Sequence, residues 1–345
     1  MDFENIFTYF IGWSLEGGLL VFDQYDRKIN YVRISVTDRC NLRCIYCMPE
    51  EGVVSTPHHE ILTYDEICRV CEIFADLGIS KIKITGGEPL VRKNLDQLIA
   101  DIKKIKGIEN VTLTTNGMLL KEQLNALVKA GLDGVNISLD TLDDNVYNEI
   151  TRQRGVWKVL DSITAATAFE KIKVKVNCVP IKGLNNDDII RVASLAKDND
   201  ICVRFIEMMP IGFGKQFEAY SEVELMAVLE ARLGELTPYS GKLGNGPARY
   251  YSISGYKGKV GFISALSHQF CAECNRVRLT STGFLKTCLQ YEQGTELKSL
   301  LRAGIDKKSL KEMIRRTIYD KPLQHHFLKQ EDKPSTSKKM YEIGG

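Results

Sequence analysis

The chain has 345 residues, 44% of them hydrophobic and 26% charged, with 46 Lys and Arg against 44 Asp and Glu for a net charge of +2. That composition excludes a disordered chain, and the near-neutral balance gives no general reason to expect nucleic acid or an anionic membrane, so anion recognition has to be local. Ten cysteines, six of them in two separate groups, do not form the pattern of a small secreted disulfide scaffold and fit reduced thiols in a cytoplasm. Asp2 and Glu4 stand where a signal peptide needs positive charge, and no apolar run reaches the length of a membrane span. Residues 1–22, with apolar runs at 6–11 and 13–22, read as an amphipathic extension packed on the rest of the chain or as an over-long start.

In chain order, β-rich runs at 31–36, 81–85, 111–115, 134–139, 172–177 and 201–207 alternate with helical patterns at 64–77, 95–105, 121–130, 146–170 and 187–197. Six βα units predict an α/β fold, a partial (β/α)6 TIM-like barrel of parallel strands over residues 23–210. Residues 211–330 change pattern, with a helix at 221–233, a hairpin at 249–253 and 259–263, and a late helix at 310–318. They predict a C-terminal region that closes the barrel with a small antiparallel sheet and holds the second cysteine group. Residues 331–345, rich in Lys, Ser and Thr and ending Gly344-Gly345, read as a flexible tail.

The strands alternate instead of running apolar throughout, as strands covered on both faces would. One face carries residues such as Val32, Ile34, Ile82, Ile84, Val135 and Val176. The other carries Arg33, Ser35, Thr37; Lys81, Lys83, Thr85; Thr112, Thr114, Asn116; Asn136, Ser138, Asp140; Lys173, Lys175, Asn177; and Cys202, Arg204. With the apolar face against helices, the polar face predicts a lumen for a charged ligand. Buried cations cost several kcal/mol each unless paired, so Arg33, Lys83, Lys175 and Arg204 point to a polyanion such as a nucleoside triphosphate.

Cys40, Cys44 and Cys47 form CxxxCxxC directly after the first strand. Three thiols can hold an iron-sulfur cluster with one iron left open; zinc or core packing is the alternative, and no nearby fourth ligand completes a zinc site. Cys271, Cys274 and Cys288 form CxxC with a distant third thiol, for which a zinc ribbon is the alternative to a second cluster. Between them, Asn275-Arg276-Val277-Arg278 puts two guanidiniums on one strand face, where arginine forks match phosphate oxygens. Cys68 and Cys71 lie in a helical pattern and read as core, Cys178 and Cys202 as buried thiols, and His268 as a surface or hydrogen-bonding side chain.

CxxxCxxC with Tyr46 before its last cysteine, together with Gly86-Gly87-Glu88-Pro89 after the second strand, resembles the signature of radical S-adenosylmethionine enzymes. The further set of VKVN, RFIEMM, CxxCNRxRL and the terminal Gly-Gly resembles the GTP 3′,8-cyclase family of molybdenum cofactor biosynthesis, from about Asp23 to Gly345. The resemblance implies two 4Fe-4S clusters. Cys40, Cys44 and Cys47 would carry the one that activates S-adenosylmethionine, and Cys271, Cys274 and Cys288 the one that anchors the guanine. It implies that Tyr46, Gly87, Ser138 and Met209 line the S-adenosylmethionine site. Arg33, Lys83, Thr114, Lys175, Arg204, Arg276 and Arg278 would contact GTP, with Arg276 and Arg278 also serving catalysis and Gly344 and Gly345 reaching the active site. Lys83 departs from the arginine more usual there, which keeps the charge and loses the fork. The expected partners are GTP, an external reductant and the next pathway enzyme, cyclic pyranopterin monophosphate synthase, with no nucleic acid or membrane and the chain a monomer or homodimer. A peptide-modifying radical enzyme with an auxiliary cluster is the rival within the superfamily, and a non-catalytic zinc or iron-sulfur protein the rival outside it.

Overall fold

The computed structural model describes residues 20–54, 56–327 and 339–343. The expectations for residues 1–19, for most of the 331–345 tail and for Gly344 and Gly345 lie outside the described residues.

The chain alternates strand and helix from β1 (Tyr31–Ser35) through α1 (Tyr64–Asp76), β2 (Lys81–Thr85), α2 (Leu95–Lys104), β3 (Asn110–Thr115), α3 (Leu120–Lys129) and β4 (Gly134–Ser138). It continues with α4 (Asp144–Thr151), α5 (Val156–Thr167), β5 (Lys173–Cys178), α6 (Asp188–Asp198) and β6 (Cys202–Ile206). The remainder comprises α7 (Glu222–Leu233), β7 (Thr237–Tyr239), β8 (Arg249–Ser252), β9 (Lys259–Ile263), β10 (Arg276–Leu279), β11 (Phe284–Lys286), β12 (Gly294–Glu296), α8 (Lys298–Arg302) and α9 (Lys307–Tyr319).

Local chemistry explains several boundaries. Thr63 and Ser221 cap α1 and α7 through reciprocal boxes with Glu66 and Glu224, which satisfy otherwise orphaned backbone donors. The expected single helix over 146–170 is two, because the chain takes positive φ at Arg152 (57°) and Gly155 (114°). Apolar residues at helical spacing continue through this break, so periodicity alone does not reveal it. The kink has a use, since the Arg152 guanidinium donates to the carbonyls of Arg43, at 2.9 Å, and Met48, at 3.2 Å, and ties α4 to the first cysteine loop.

Among the described residues the twelve strands belong to one sheet in the order β12-β11-β10-β1-β2-β3-β4-β5-β6-β9-β8-β7. The antiparallel strands expected as a small sheet of their own are instead its two ends. β10 pairs parallel with β1 and β9 parallel with β6, so residues beyond 210 extend the parallel array on both sides. Long-range backbone pairing of this kind leaves no trace in local composition.

The apolar face behaves as expected. Val32, Ile34, Ile82, Ile84, Val111, Leu113, Val135, Ile137, Val176 and Val203 are fully buried and pack with Ile67, Phe74, Leu98, Leu124, Val159 and Val192 of the helices. Burial of these side chains is the main stabilising term, about 1.5–3 kcal/mol for each large one. Among the described residues no helix is long and apolar enough to cross a membrane.

Candidate functional site

The polar face lines a cavity of about 1110 Å³. Arg33, Lys83, Thr85, Thr112, Thr114, Asn116, Asn136, Ser138, Asp140, Lys173, Lys175, Asn177, Cys202 and Arg204 all contribute to its wall. Strand register orders them into rows. Arg278, Arg33, Lys83 and Thr112 are successive partners across β10, β1, β2 and β3, and Thr114, Asn136, Lys175 and Cys202 across β3 to β6. Three residues expected on this face, Ser35, Thr37 and Lys81, are not in the wall; Ser35 at the end of β1 and Thr37 just beyond it are buried, and the Ser35 hydroxyl donates to the Thr37 carbonyl at 3.2 Å.

Both cysteine groups reach this cavity: Cys40, Cys44 and Cys47 from the loop after β1, and Cys271, Cys274 and Cys288 from the turns flanking β10 and β11. All ten thiols are free. Cys71 and Cys178 are buried in the core as expected, whereas Cys202 is only half-buried and faces the cavity. His268 is exposed.

Loop 37–48 is held rigidly. The backbone N–H groups of Gly87 and Glu88 donate to the carbonyls of Thr37, at 2.8 Å, and Arg39, at 2.7 Å. A Cβ on Gly87 would lie 2.6 Å from the Asp38 carbonyl and closer still to that of Arg39, so only glycine lets the turn after β2 pack against the approach to Cys40. Glu88, buried and raised by that burial to about 7, accepts from Leu90 N at 3.0 Å, Asn116 N at 2.6 Å and Thr115 Oγ1 at 2.8 Å. It locks the end of β3 to the same turn. Tyr46 Oη donates to Asp140 Oδ2 at 2.6 Å, which fixes the ring at the cavity wall; Gly87, Ser138 and Met209 line the same cavity.

The two thiol groups differ in electrostatics. Burial pushes Cys40 up to about 11 and Cys47 up to about 12, and Cys44 is also raised by burial and then by Cys47. Burial pushes Cys274 up as well, but Lys321 and Arg276 more than offset it and leave the thiol down at about 7. Three thiols per group suit an iron-sulfur cluster with one open iron, with Glu88 and Asp140 acting on the first group and His325 beside the second. Among the described residues no group of three or more His, Cys, Asp or Glu side chains is close enough to hold a single metal ion.

Between the two groups the wall is cationic. Lys83, Lys175 and Arg204 are 7%, 9% and 7% exposed. Among the described residues none of the three forms an ion pair with a carboxylate. Burial, then Arg204, Arg33 and Lys175, hold Lys83 well below the usual lysine range. Burial and then Arg204 bring Lys175 down to about 8, and burial, then Arg33 and Arg276, bring Arg278 down to about 9. Arg204 spends its guanidinium on Asn177 Oδ1 at 3.0 and 2.6 Å, Lys175 donates to the Leu243 carbonyl, and Arg276 stacks over Phe270 at 4.9 Å.

Sequence reasoning missed several residues here. Asn116 Nδ2 reaches Cys40 Sγ at 3.8 Å and Asn41 Oδ1 at 2.8 Å; the period-two face includes it without signalling that contact. Lys321, His325 and Phe270 line the cavity with the second group, and loop 242–247 lines it beside Lys175 and Asn275. Lys321, His325 and the loop come from segments whose local pattern carries no chemistry-bearing motif, whereas Phe270 directly precedes the CxxC of the second group. Met340 also lines the cavity, and the backbone of Tyr341 bonds the Cys47 thiol, so the described part of the tail reaches the first cysteine group.

Comparison with known proteins agrees with this geometry. Residues 34–196 match the model of the radical SAM superfamily, and residues 201–327 that of Molybdenum Cofactor Synthesis C. The GTP 3′,8-cyclase of Clostridium perfringens is 45% identical over 323 residues, 94% of this chain and 99% of that protein. That of Desulforamulus reducens is 45% identical over 328 residues, 94% of this chain and 100% of its own length. Streptococcus suis SuiB, in a crystal structure with its precursor peptide SuiA, shares the fold with a TM-score of 0.57 at 19% identity, over 86% of this chain and 65% of SuiB. Similarity along nearly the whole of both chains places this protein in the GTP 3′,8-cyclase family of radical S-adenosylmethionine enzymes.

Proposed function

We propose that this protein converts GTP to (8S)-3′,8-cyclo-7,8-dihydroguanosine 5′-triphosphate, the first step of molybdenum cofactor biosynthesis. The observation that carries the reading is a cationic wall of Arg33, Lys83, Lys175, Arg204, Arg276 and Arg278, with Lys83, Lys175 and Arg204 buried, between two three-cysteine groups. A triphosphate matches the positive charge of the buried Lys83, Lys175 and Arg204, which a peptide substrate has no reason to do. The eight parallel strands then act as a partial barrel around substrate, with residues 23–210 and 211–330 contributing one cysteine group each.

Cys40, Cys44 and Cys47 would hold one 4Fe-4S cluster and Cys271, Cys274 and Cys288 the other. With an electron from an external reductant, the first would supply reductive cleavage of S-adenosylmethionine and so the abstraction of the ribose 3′ hydrogen, and the second would supply a hold on the guanine. The chain's own residues confine and orient. Tyr46, fixed by Asp140, lines the S-adenosylmethionine side with Gly87, Ser138 and Met209. Arg33, Lys83, Thr114, Lys175 and Arg204 bind the phosphates and ribose, and Arg276 and Arg278 hold substrate and intermediate from the second group's side. Met340 lines the same cavity, and the Tyr341 backbone bonds the Cys47 thiol. The cytoplasm, handover of product to cyclic pyranopterin monophosphate synthase, and a monomer or homodimer complete the proposal.

The test is anaerobic incubation of reconstituted protein with reductant, S-adenosylmethionine and GTP. We expect 5′-deoxyadenosine and the cyclised nucleotide in step. 5′-Deoxyadenosine without GTP consumption, or none at all, overturns the reading.

A further inference from the structure

Lys321 lies two residues past α9, is 3% exposed, and faces the cavity beside the second cysteine group. Its ammonium donates to the carbonyl of Arg276 at 3.1 Å and to that of Thr287. These carbonyls stand two residues after Cys274 and one before Cys288. The ammonium also hydrogen-bonds the Cys274 thiol and acts across space on Cys271. Among the described residues no carboxylate forms an ion pair with it. A buried cation held by neutral carbonyls is costly, and among the described residues thiolate sulfur is the anion that its hydrogen bonds reach.

The position is also braced. Arg27, paired with Asp23 at 2.6 Å, donates to the carbonyls of Cys271 at 2.8 Å, Leu323 at 2.7 Å and Pro322 at 2.6 Å. Gln24 adds its backbone N–H to Tyr319 O at 3.0 Å and its amide to Lys321 O at 3.3 Å. One guanidinium thus fixes the first cysteine of the group and the chain that carries Lys321. A lysine needed only to end a helix would not require such support.

We propose that Lys321 is the positioning residue of the second cluster: its fixed ammonium lies against Cys274, holds the backbone beside Cys274 and Cys288, and raises the cluster's reduction potential. A cluster with three thiolates is a buried anion that gains another unit of negative charge on reduction, and a cation hydrogen-bonded to its sulfur favours the reduced form. This rests on the reading that Cys271, Cys274 and Cys288 hold a 4Fe-4S cluster.

The experiment uses the full chain carrying Cys40→Ala, Cys44→Ala and Cys47→Ala, so that any iron belongs to the second group. After anaerobic reconstitution, iron and sulfide are counted and the midpoint potential is followed by electron paramagnetic resonance during titration with dithionite. We expect about four irons in this parent. Adding Lys321→Met should lower the potential or lose the iron, whereas Lys321→Arg should keep both near the parent's. Lys321→Met with full iron and the parent's potential overturns the inference, as does Lys321→Arg failing to the same extent as Lys321→Met, since shape and not charge would then matter. An iron-free parent defeats the two-cluster reading and takes this inference with it; an iron-loaded parent indifferent to Lys321→Met defeats this inference alone.

Discussion

Arg33 on β1 and Arg278 on β10 are register partners in a parallel ladder, two guanidiniums side by side from segments 245 residues apart, and Lys83 extends the row on β2. Arg33, with burial and Arg276, helps hold Arg278 down at about 9. Like charges side by side across a sheet are destabilising, so an anion bound along this row relieves the repulsion.

Arg278→Lys should therefore cost more than its conserved charge suggests. An ammonium offers no planar fork to a phosphate or ring oxygen. Loss of one charge-assisted hydrogen bond costs about 1.5–3 kcal/mol, on the order of ten- to a hundredfold in kcat/KM for GTP. Steady-state kinetics of the reconstituted enzyme read this directly, and wild-type kinetics in Arg278→Lys would mean that a point charge suffices.

Lys175 gives a pH dependence. Its pKa in the folded chain is about 8, below the unfolded value, so between pH 8 and the ordinary lysine range the unfolded chain binds the extra proton and the stability of the ligand-free protein rises with pH. Below pH 8 the full penalty of burying the charge is present. A bound triphosphate favours the ammonium, so binding above pH 8 takes up a proton and affinity falls as pH rises. We expect the dissociation constant for GTP to increase from pH 8 to 9.5, with proton uptake seen by calorimetry in buffers of different ionisation enthalpy. Lys175→Arg, charged throughout, should flatten the profile.

The two cysteine groups should separate by phenotype. Cys40→Ala should abolish cleavage of S-adenosylmethionine, because it removes a ligand from the group beside Tyr46, Gly87 and Ser138. Cys274→Ala should leave some 5′-deoxyadenosine formation and lose the cyclised nucleotide. Chromatography of both products in one reaction decides it; equal loss of both products in Cys274→Ala would contradict the division of labour.

Much of this site was legible in the sequence because strand alternation is a strong physical signal. A period of two places Arg33, Lys83, Thr114, Asn136, Lys175 and Arg204 on one face whatever the register, and all of them line the cavity. Expected strand bounds differ from the observed ones by a residue or so, as for 111–115 against Asn110–Thr115. What escaped depends on contacts across the chain. Nothing near Arg276 indicates that β10 would pair with β1, and nothing in the run after α9 distinguishes Lys321 from a solvated lysine. The break between α4 and α5 escaped because its cause, positive φ at Arg152 and Gly155, serves the distant carbonyls of Arg43 and Met48.

Gly87→Ala tests whether the turn after β2 acts on the cysteine loop through backbone packing. The added Cβ would stand 2.6 Å from the Asp38 carbonyl, well inside the contact limit, and both neighbours are backbone that no rotamer change can move. The hydrogen bonds from Gly87 N to Thr37 O, at 2.8 Å, and Glu88 N to Arg39 O, at 2.7 Å, must then lengthen, and Cys40 moves with Arg39. We expect a loss of about 1–3 kcal/mol in stability from the overpacking. The iron content should fall by about half, since the group at Cys271 lies on other strands and keeps its cluster. Thermal unfolding and iron analysis of the same preparation check both. Full iron with wild-type stability would mean that the loop before Cys40 yields freely, and the requirement for glycine would then have to come from the ligand side of the turn.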